Sequence, residues 1–307
     1  WKTSEYTAVK ATRQKYPNTR ILRIYDFGKQ ILSKESIYQY RDRFTRDKQA
    51  LGTLTESITS ESDGHEVVLS VDEPFHWIIP DTQRTLFVCP MKYVEANPLR
   101  DEFAKEGEVE FWLSCSIASQ LCRGLAFIHR SGVRHRNLHP GNILLEEKNK
   151  LVHIHNFDHG KISNSFDTIK DSPVLFDLKL NEEVYQKRYR APELTSDKQQ
   201  IDWNAFSTGG EYADLYSLGV ILHDLFIHPI DFNEPVDHER LPDSLSEKTR
   251  QFIKQCLSHT LADRKQMNLQ EVAREFSLLA DINNGGIIPD LAAGTPILKK
   301  YTIDCLL

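Results

Sequence analysis

Cysteine is scarce in these 307 residues: five in all (Cys89, Cys115, Cys122, Cys256 and Cys305), odd in number and without C-x-x-C spacing. That usage fits reduced thiols rather than a disulfide framework, and it argues against a cysteine-ligated zinc site. Glycine (14) and proline (13) are too few for collagen-like or low-complexity chains, while 40% hydrophobic and 27% charged residues set a globular composition. Basic excess is missing as well. Against 38 Lys and Arg stand 44 Asp and Glu, a net charge of −6, so no bulk field draws nucleic acid or an acidic membrane surface. Long apolar runs are absent: Leu218-Gly-Val-Ile-Leu222 falls far short of the roughly 18 residues of a spanning helix. The chain opens Trp1-Lys2-Thr3 with no signal-peptide core, and the expectation is that residue 1 lies inside a longer protein. Only two residues follow Cys305, so the carboxy-terminal prenylation pattern is not met. These absences predict a cytoplasmic chain that does not insert into a membrane.

What is present divides into two parts. The first hundred residues predict short strands at 6–12, 20–25, 67–71, 77–79 and 85–89, with Tyr16-Pro17-Asn18 as a hairpin turn. One helix interrupts them, from Lys34 to Leu54, where Ile37, Tyr40, Phe44, Leu51 and Leu54 recur at helical spacing. The polar run Thr55 to Glu66 reads as a mobile loop. Beyond about residue 99 helices dominate: 111–130 with Trp112, Ile117, Leu121, Leu125 and Ile128 on one face, then 215–227 and 245–257. A strand-rich third, a connector at 92–98 and a helical remainder predict two lobes about a cleft. No repeat of 20 to 50 residues is visible, which disfavours solenoids and propellers. Residues 281–307, with Gly285-Gly286, Pro289 and Pro296, read as a tail without a clear period.

The stretch Ile128-His-Arg-Ser-Gly-Val-Arg-His-Arg-Asn-Leu-His-Pro-Gly-Asn-Ile-Leu-Leu145 resembles the catalytic loop of protein kinases, H-R-D-L-x-x-x-N. Further motifs follow in family order: His155-Asn156-Phe157-Asp158 resembles the strand into D-F-G, Tyr189-Arg-Ala-Pro-Glu-Leu194 carries A-P-E, Asp214-Leu-Tyr-Ser-Leu-Gly-Val220 resembles D-x-W-S-x-G-V, and Asp263-Arg264 the late arginine. The resemblance implies an α+β bilobal fold, with a small antiparallel β-sheet N-lobe bearing one main helix (1–91), a larger mainly α-helical C-lobe (92–280), a hinge near Met91–Glu95, and the tail from 281. It further implies that His135 and Phe157 stack in an apolar column anchored by Asp214, and that Glu193 and Arg264 form a structural ion pair.

The chemistry of that family is altered here. Phosphoryl transfer needs an Asp to accept the substrate's hydroxyl proton, an Asp and an Asn to hold magnesium, and a Lys to brace the phosphates. The first Asp position is Asn137, whose amide is no base at neutral pH. The D-F-G Asp is Asn156, a poorer ligand for hard cations than a carboxylate, and only Asn142 of the metal pair remains. His139 stands where many kinases place a phosphate-contacting Lys. Two positions compete for the bracing Lys. Ala8-Val9-Lys10 looks like V-A-I-K but precedes the turn, whereas the register through 20–25 puts Arg23 in the position, with Asp47 as its helix partner. Asp26-Phe27-Gly28 precedes the catalytic loop and is a decoy. The same register lays Trp1, Thr3 and Tyr6 over the glycine-rich loop, where bulky side chains would keep backbone N–H groups from phosphates.

The resemblance therefore implies a pseudokinase: no cofactor, nucleotide binding weak or absent, magnesium disfavoured, and a role as allosteric regulator or scaffold for a protein partner or a covalently linked enzyme domain. Kinase-homology regions of receptor guanylyl cyclases and of Janus-type kinases are broadly similar. The alternative is an atypical active kinase that recruits another residue, such as Asp158, for metal. Six histidines between 129 and 159, including His153-x-His155, raise a metal reading, but His129 and His135 have places in the kinase pattern and no cysteine stands at ligand spacing. Ser163, Ser165, Thr168, Ser172 and Tyr185 lie in the segment where Arg136 would dock a phosphate, and Trp203 and Phe206 in a second insertion suggest a partner patch.

Overall fold

Strands β1 (Thr7–Arg13) and β2 (Tyr16–Asp26) pair antiparallel, Thr7 against Ile24 and Thr12 against Thr19. The structure is a computed structural model that describes residues 7–13, 16–26, 34–60, 62–82, 84–105, 109–162, 187–194, 210–227, 230, 235–264, 268–283, 296–297 and 301–302. Pro17 and Asn18 do not form the hairpin turn that the sequence predicts. They fall inside β2, at a register shift where Arg13 pairs with Tyr16. Proline has no N–H to give to a ladder, and a bulge is where a strand can carry it. Helix α1 (Lys34–Glu56) follows and buries Phe44, Leu51 and Leu54. Strands β3 (Phe75–Ile79) and β4 (Arg84–Lys92) complete a sheet of order β1-β2-β4-β3. Phe44 of α1 meets Phe87 of β4 at 5.0 Å between ring centroids, which sets α1 on one face of the sheet.

The segment between α1 and β3 departs from both of its predictions. Residues 67–71 form no strand: Val67 ends a short 3-10 turn, and only isolated bridges follow, Val68 to Ile154 and Val71 to Met91. Nor is the polar run a loose loop. Arg130 Nη2 donates to the Asp63 carbonyl at 3.0 Å, and Gly64, at φ 85°, lies so near the next long helix that a Cβ there would stand 2.3 Å from the Arg123 carbonyl oxygen. Only glycine fits that approach.

The lower lobe begins with β5 (Ala96–Pro98), α2 (Leu99–Phe103) and α3 (Phe111–Arg130). Helix α3 is buried on most of its sides and forms the centre of the core: Ile117, Leu121, Leu125 and Ile128 have no exposure, each burial stabilising by about 1.5–3 kcal/mol. By length and composition it passes as a spanning helix, yet 78% of the apolar window is buried within the fold. Strands β6 (Val133–Arg134), β7 (Ile143–Glu146), β8 (Val152–Ile154) and β9 (Lys161–Ile162) then frame residues 135–142: β5, β7 and β8 make one ladder, β6 and β9 another. Helices α4 (Gly210–Phe226), α5 (Glu247–Cys256), α6 (Leu261–Arg264) and α7 (Leu269–Asn283) close the lobe, α7 packing along α3 with the Ser119 hydroxyl donating to the Ala273 carbonyl at 2.8 Å. In the tail, β10 (Pro296–Ile297) and β11 (Tyr301–Thr302) pair antiparallel, which the sequence reading does not anticipate.

The lobed α+β architecture is thus the predicted one. Cys89, Cys115, Cys122 and Cys256 are all buried and unbridged, and burial pushes the Cys89 and Cys115 thiols up to about 12, so they are unreactive at neutral pH. Gly64→Ala combines a positive φ with the clash against α3 and is expected to cost about 1–3 kcal/mol, read as a lowered urea midpoint at unchanged m-value.

Candidate functional site

The cleft is organised by Arg23 at the middle of β2, opposite Ala8 of β1 and Cys89 of β4. Strand alternation turns its side chain to the α1 face, where it is buried. Its Nη1 donates to Asp47 Oδ2 of α1 at 2.7 Å and to Asn156 Oδ1 at 3.3 Å, and its Nη2 lies 3.2 Å from the Met91 sulfur. The other Asp47 oxygen accepts the Phe157 N–H at 2.8 Å. One carboxylate thereby ties sheet, helix and the segment after β8. Lys10, the competing candidate, is elsewhere: it is exposed on β1, its Nζ 4.0 Å from the Tyr93 ring centroid.

Below this pair an amide chain continues. Asn156, at φ 70° in the left-handed region that asparagine tolerates, donates from Nδ2 to Asn142 Oδ1 at 3.3 Å. Asn142 donates to the Asn137 carbonyl at 2.8 Å and lies 2.9 Å from His139 Nε2. The His139 ring also accepts the Gly141 N–H at 3.1 Å, capping the short turn Pro140–Asn142. Burial holds His139 down to about 3, with the His135 ring and the Arg100 and Arg190 charges adding to it, so His139 is neutral near pH 7.

The Asn142 and Asn156 amides are engaged within the protein. Magnesium requires hard, preferably anionic oxygens. Here the two nearest amide oxygens, of Asn142 and Asn156, each face an N–H, and the positive charge beside Asn156 is the Arg23 guanidinium. Among the described residues no group of three His, Cys, Asp or Glu is placed to hold a metal.

The scaffold beneath is built on Asp214 of α4, fully buried. Its carboxylate accepts the His135 N–H at 2.8 Å and the Arg136 N–H at 2.6 Å, and meets His129 Nε2 at 3.0 Å. Burial pushes its pKa up, but the His129 contact and the neighbouring charges and N–H groups outweigh that and hold it below the usual value. The His135 and Phe157 rings stand 4.7 Å apart at 50°. Arg264 makes a bidentate pair with Glu193, at 3.0 and 2.8 Å.

Three features were not found by reading the sequence. Met91 contacts Arg23, and nothing local in the sequence announces it. Asp224 is buried and accepts from Arg188 at 2.8 and 3.0 Å, from the Tyr189 hydroxyl at 2.8 Å and from His223 at 2.8 Å. Its signal was available, a His-Asp pair at the end of an apolar helix. A recess between α4 and α5, lined by Arg188, Tyr216, Val236, Lys254 and His259, shares no residue with the cleft. Trp1, Thr3, Tyr6, Phe27 and Gly28, the hydroxyl residues from Ser163 to Tyr185, and Trp203 and Phe206 lie outside the described residues.

Comparison with known proteins places these elements. The family model described as protein kinase domain matches residues 45–277. Among curated proteins, the chain is 28% identical over 166 residues to serine/threonine-protein kinase ppk16 of Schizosaccharomyces pombe, covering 54% of this chain and 21% of that protein. It is 24% identical over 227 residues to PknA of Corynebacterium glutamicum, covering 70% of this chain and 42% of that one. It is 29% identical over 172 residues to the eIF-2-alpha kinase GCN2 of Schizosaccharomyces pombe, covering 55% and 10%. The chain thus spans less than half the length of each.

Two outcomes follow from this geometry. Arg23→Met leaves the Asp47 carboxylate buried without its cation and is expected to cost about 3–5 kcal/mol by chemical denaturation, with Arg23→Lys losing less. Burial lowers the pKa of His135, His139 and His155 below the free value. The unfolded chain therefore binds more protons than the folded one below about pH 6.5, and stability falls as pH drops through that value. A slope of up to about 4 kcal/mol per pH unit is expected between pH 6 and 5 in urea titrations, shallower in His155→Asn.

Proposed function

The chain belongs to the protein kinase family, and on that premise we propose that it is a non-catalytic member, a pseudokinase, which regulates or scaffolds a protein partner or an attached enzyme domain in the cytoplasm. The observation that carries this reading is the Arg23 guanidinium bonded at once to Asp47 and Asn156. In the family a Lys at this position braces phosphates and an Asp at the Asn156 position holds magnesium. Here the arginine's own charge stands beside Asn156, and its two terminal nitrogens are taken by protein oxygens and the Met91 sulfur rather than left for phosphate.

Proton transfer is removed by the same logic. Asn137 offers an amide where a carboxylate would accept the hydroxyl proton, and the neutral, buried His139 adds no positive charge to steady a transferred phosphoryl group. What is kept is the framework of the lower lobe: Asp214 under the loop, the His135–Phe157 stack and the Glu193–Arg264 pair. Conformational coupling through Asp47, between α1 and the segment at Phe157, gives a partner on the upper lobe a route to the lower one. The net charge of −6 gives no general pull towards nucleic acid.

A second reading, an atypical active phosphotransferase using Asp158, draws on the kinase names of the relatives. One set of measurements separates the two. Thermal titration of the protein with ATP and ADP, with and without magnesium or manganese, is expected to leave the melting temperature unchanged, and no γ-phosphate transfer is expected. Asn137→Asp with Asn156→Asp is expected to stay silent while Arg23 remains. A magnesium-dependent melting shift together with turnover that Asn142→Ala abolishes would establish the active reading instead.

A further inference from the structure

Strand β3 is the outermost described strand of its sheet, so one side of its backbone is unpaired there. Its register sets Phe75 opposite Val88 and Trp77 opposite Leu86, on the face away from α1, since α1 meets the sheet through Arg23 and Phe87. Phe75, Trp77 and Ile78 are 49%, 53% and 49% exposed, in a strand, Phe-His-Trp-Ile-Ile, that holds neither Lys nor Pro to block pairing. Carboxylates bracket it. Glu73 lies two residues before β3 and Asp81 two residues after, both exposed, and neither has an ion pair among the described residues, whereas Asp72 is taken by Arg20.

We propose that the β3 edge binds an extended strand of a partner polypeptide, apolar along its middle with a Lys or Arg at each end. Backbone hydrogen bonds to the open edge would supply the affinity, Phe75 and Trp77 the apolar contact, and Glu73 and Asp81 the register. A second copy fits worse: two-fold antiparallel pairing centred on Trp77 would set Glu73 against Asp81 of the other copy, acid on acid. The proposal supplies a surface for the partner in the reading above, but its test reads peptide capture and not nucleotide, so either can fail alone.

The test uses the full 307-residue chain and two fluorescein-labelled probes, Lys-Thr-Val-Thr-Val-Thr-Val-Thr-Lys and the same peptide with Glu at both ends. Fluorescence anisotropy is expected to show binding of the Lys-ended probe at least about tenfold tighter than of the Glu-ended one, weakening with salt. Glu73→Lys with Asp81→Lys should invert that preference, and Trp77→Ser should weaken both probes; all three positions are exposed, and a retained circular dichroism spectrum verifies the fold. Binding of neither probe, equal binding of both, or a preference unmoved by the charge reversal would overturn the proposal. So would concentration-dependent self-association by sedimentation that Trp77→Ser abolishes, which would assign the edge to a second copy.

Discussion

The two oxygens of Asp47 carry the connection on which the two lobes depend. One accepts from Arg23 on the sheet and the other from the Phe157 N–H beyond β8, while the residue itself sits on α1, so three chain segments far apart in sequence meet at one buried carboxylate. A charge so placed is costly to bury and is tolerated because every contact is satisfied with good geometry. The same satisfaction commits Arg23. Its guanidinium is shared among Asp47, Asn156 and the Met91 sulfur, and the position nearest to Asn156 carries a fixed positive charge supplied by the protein.

Buried carboxylates recur as organisers lower down. Asp214 takes two successive backbone N–H groups, which holds Arg136 at φ 63°, a conformation that residue would not otherwise favour. Asp224 gathers Arg188, Tyr189 and His223 from two segments, and Glu193 receives Arg264. Each ties a loop to α4 or α6 in a region with few backbone ladders. The lower lobe thereby keeps a defined loop geometry without any demand that its amides do chemistry, and this separation between framework and reaction is what makes a regulatory role compatible with a kinase fold.

Helix α3 was legible to the residue because Ile117, Leu121, Leu125 and Ile128 recur at helical spacing on one face, and such an apolar stripe must be buried against the rest of the lobe. The Pro17-Asn18 signal was misread because the same pair serves a turn or a bulge, and only pairing with β1 separates the two. Residues 67–71 have the β-branched character of a strand, but their neighbours offer one bridge on each side instead of a ladder. Lys10 and Arg23 could not be separated by alternation, since the register puts both on the same face of the sheet.

Motif order, spacing and residue type are properties of the covalent chain, so the sequence by itself determined the family, the two-part architecture and the presence of amides at Asn137 and Asn156. Strand order is not written locally. Only the folded sheet decided that Lys10 lies by Tyr93, that the Asn156 oxygen faces the Arg23 guanidinium, and that Phe75 and Trp77 are left on an open edge. These contacts join residues up to 133 positions apart, and their geometry depends on how whole elements pack rather than on any short stretch of sequence.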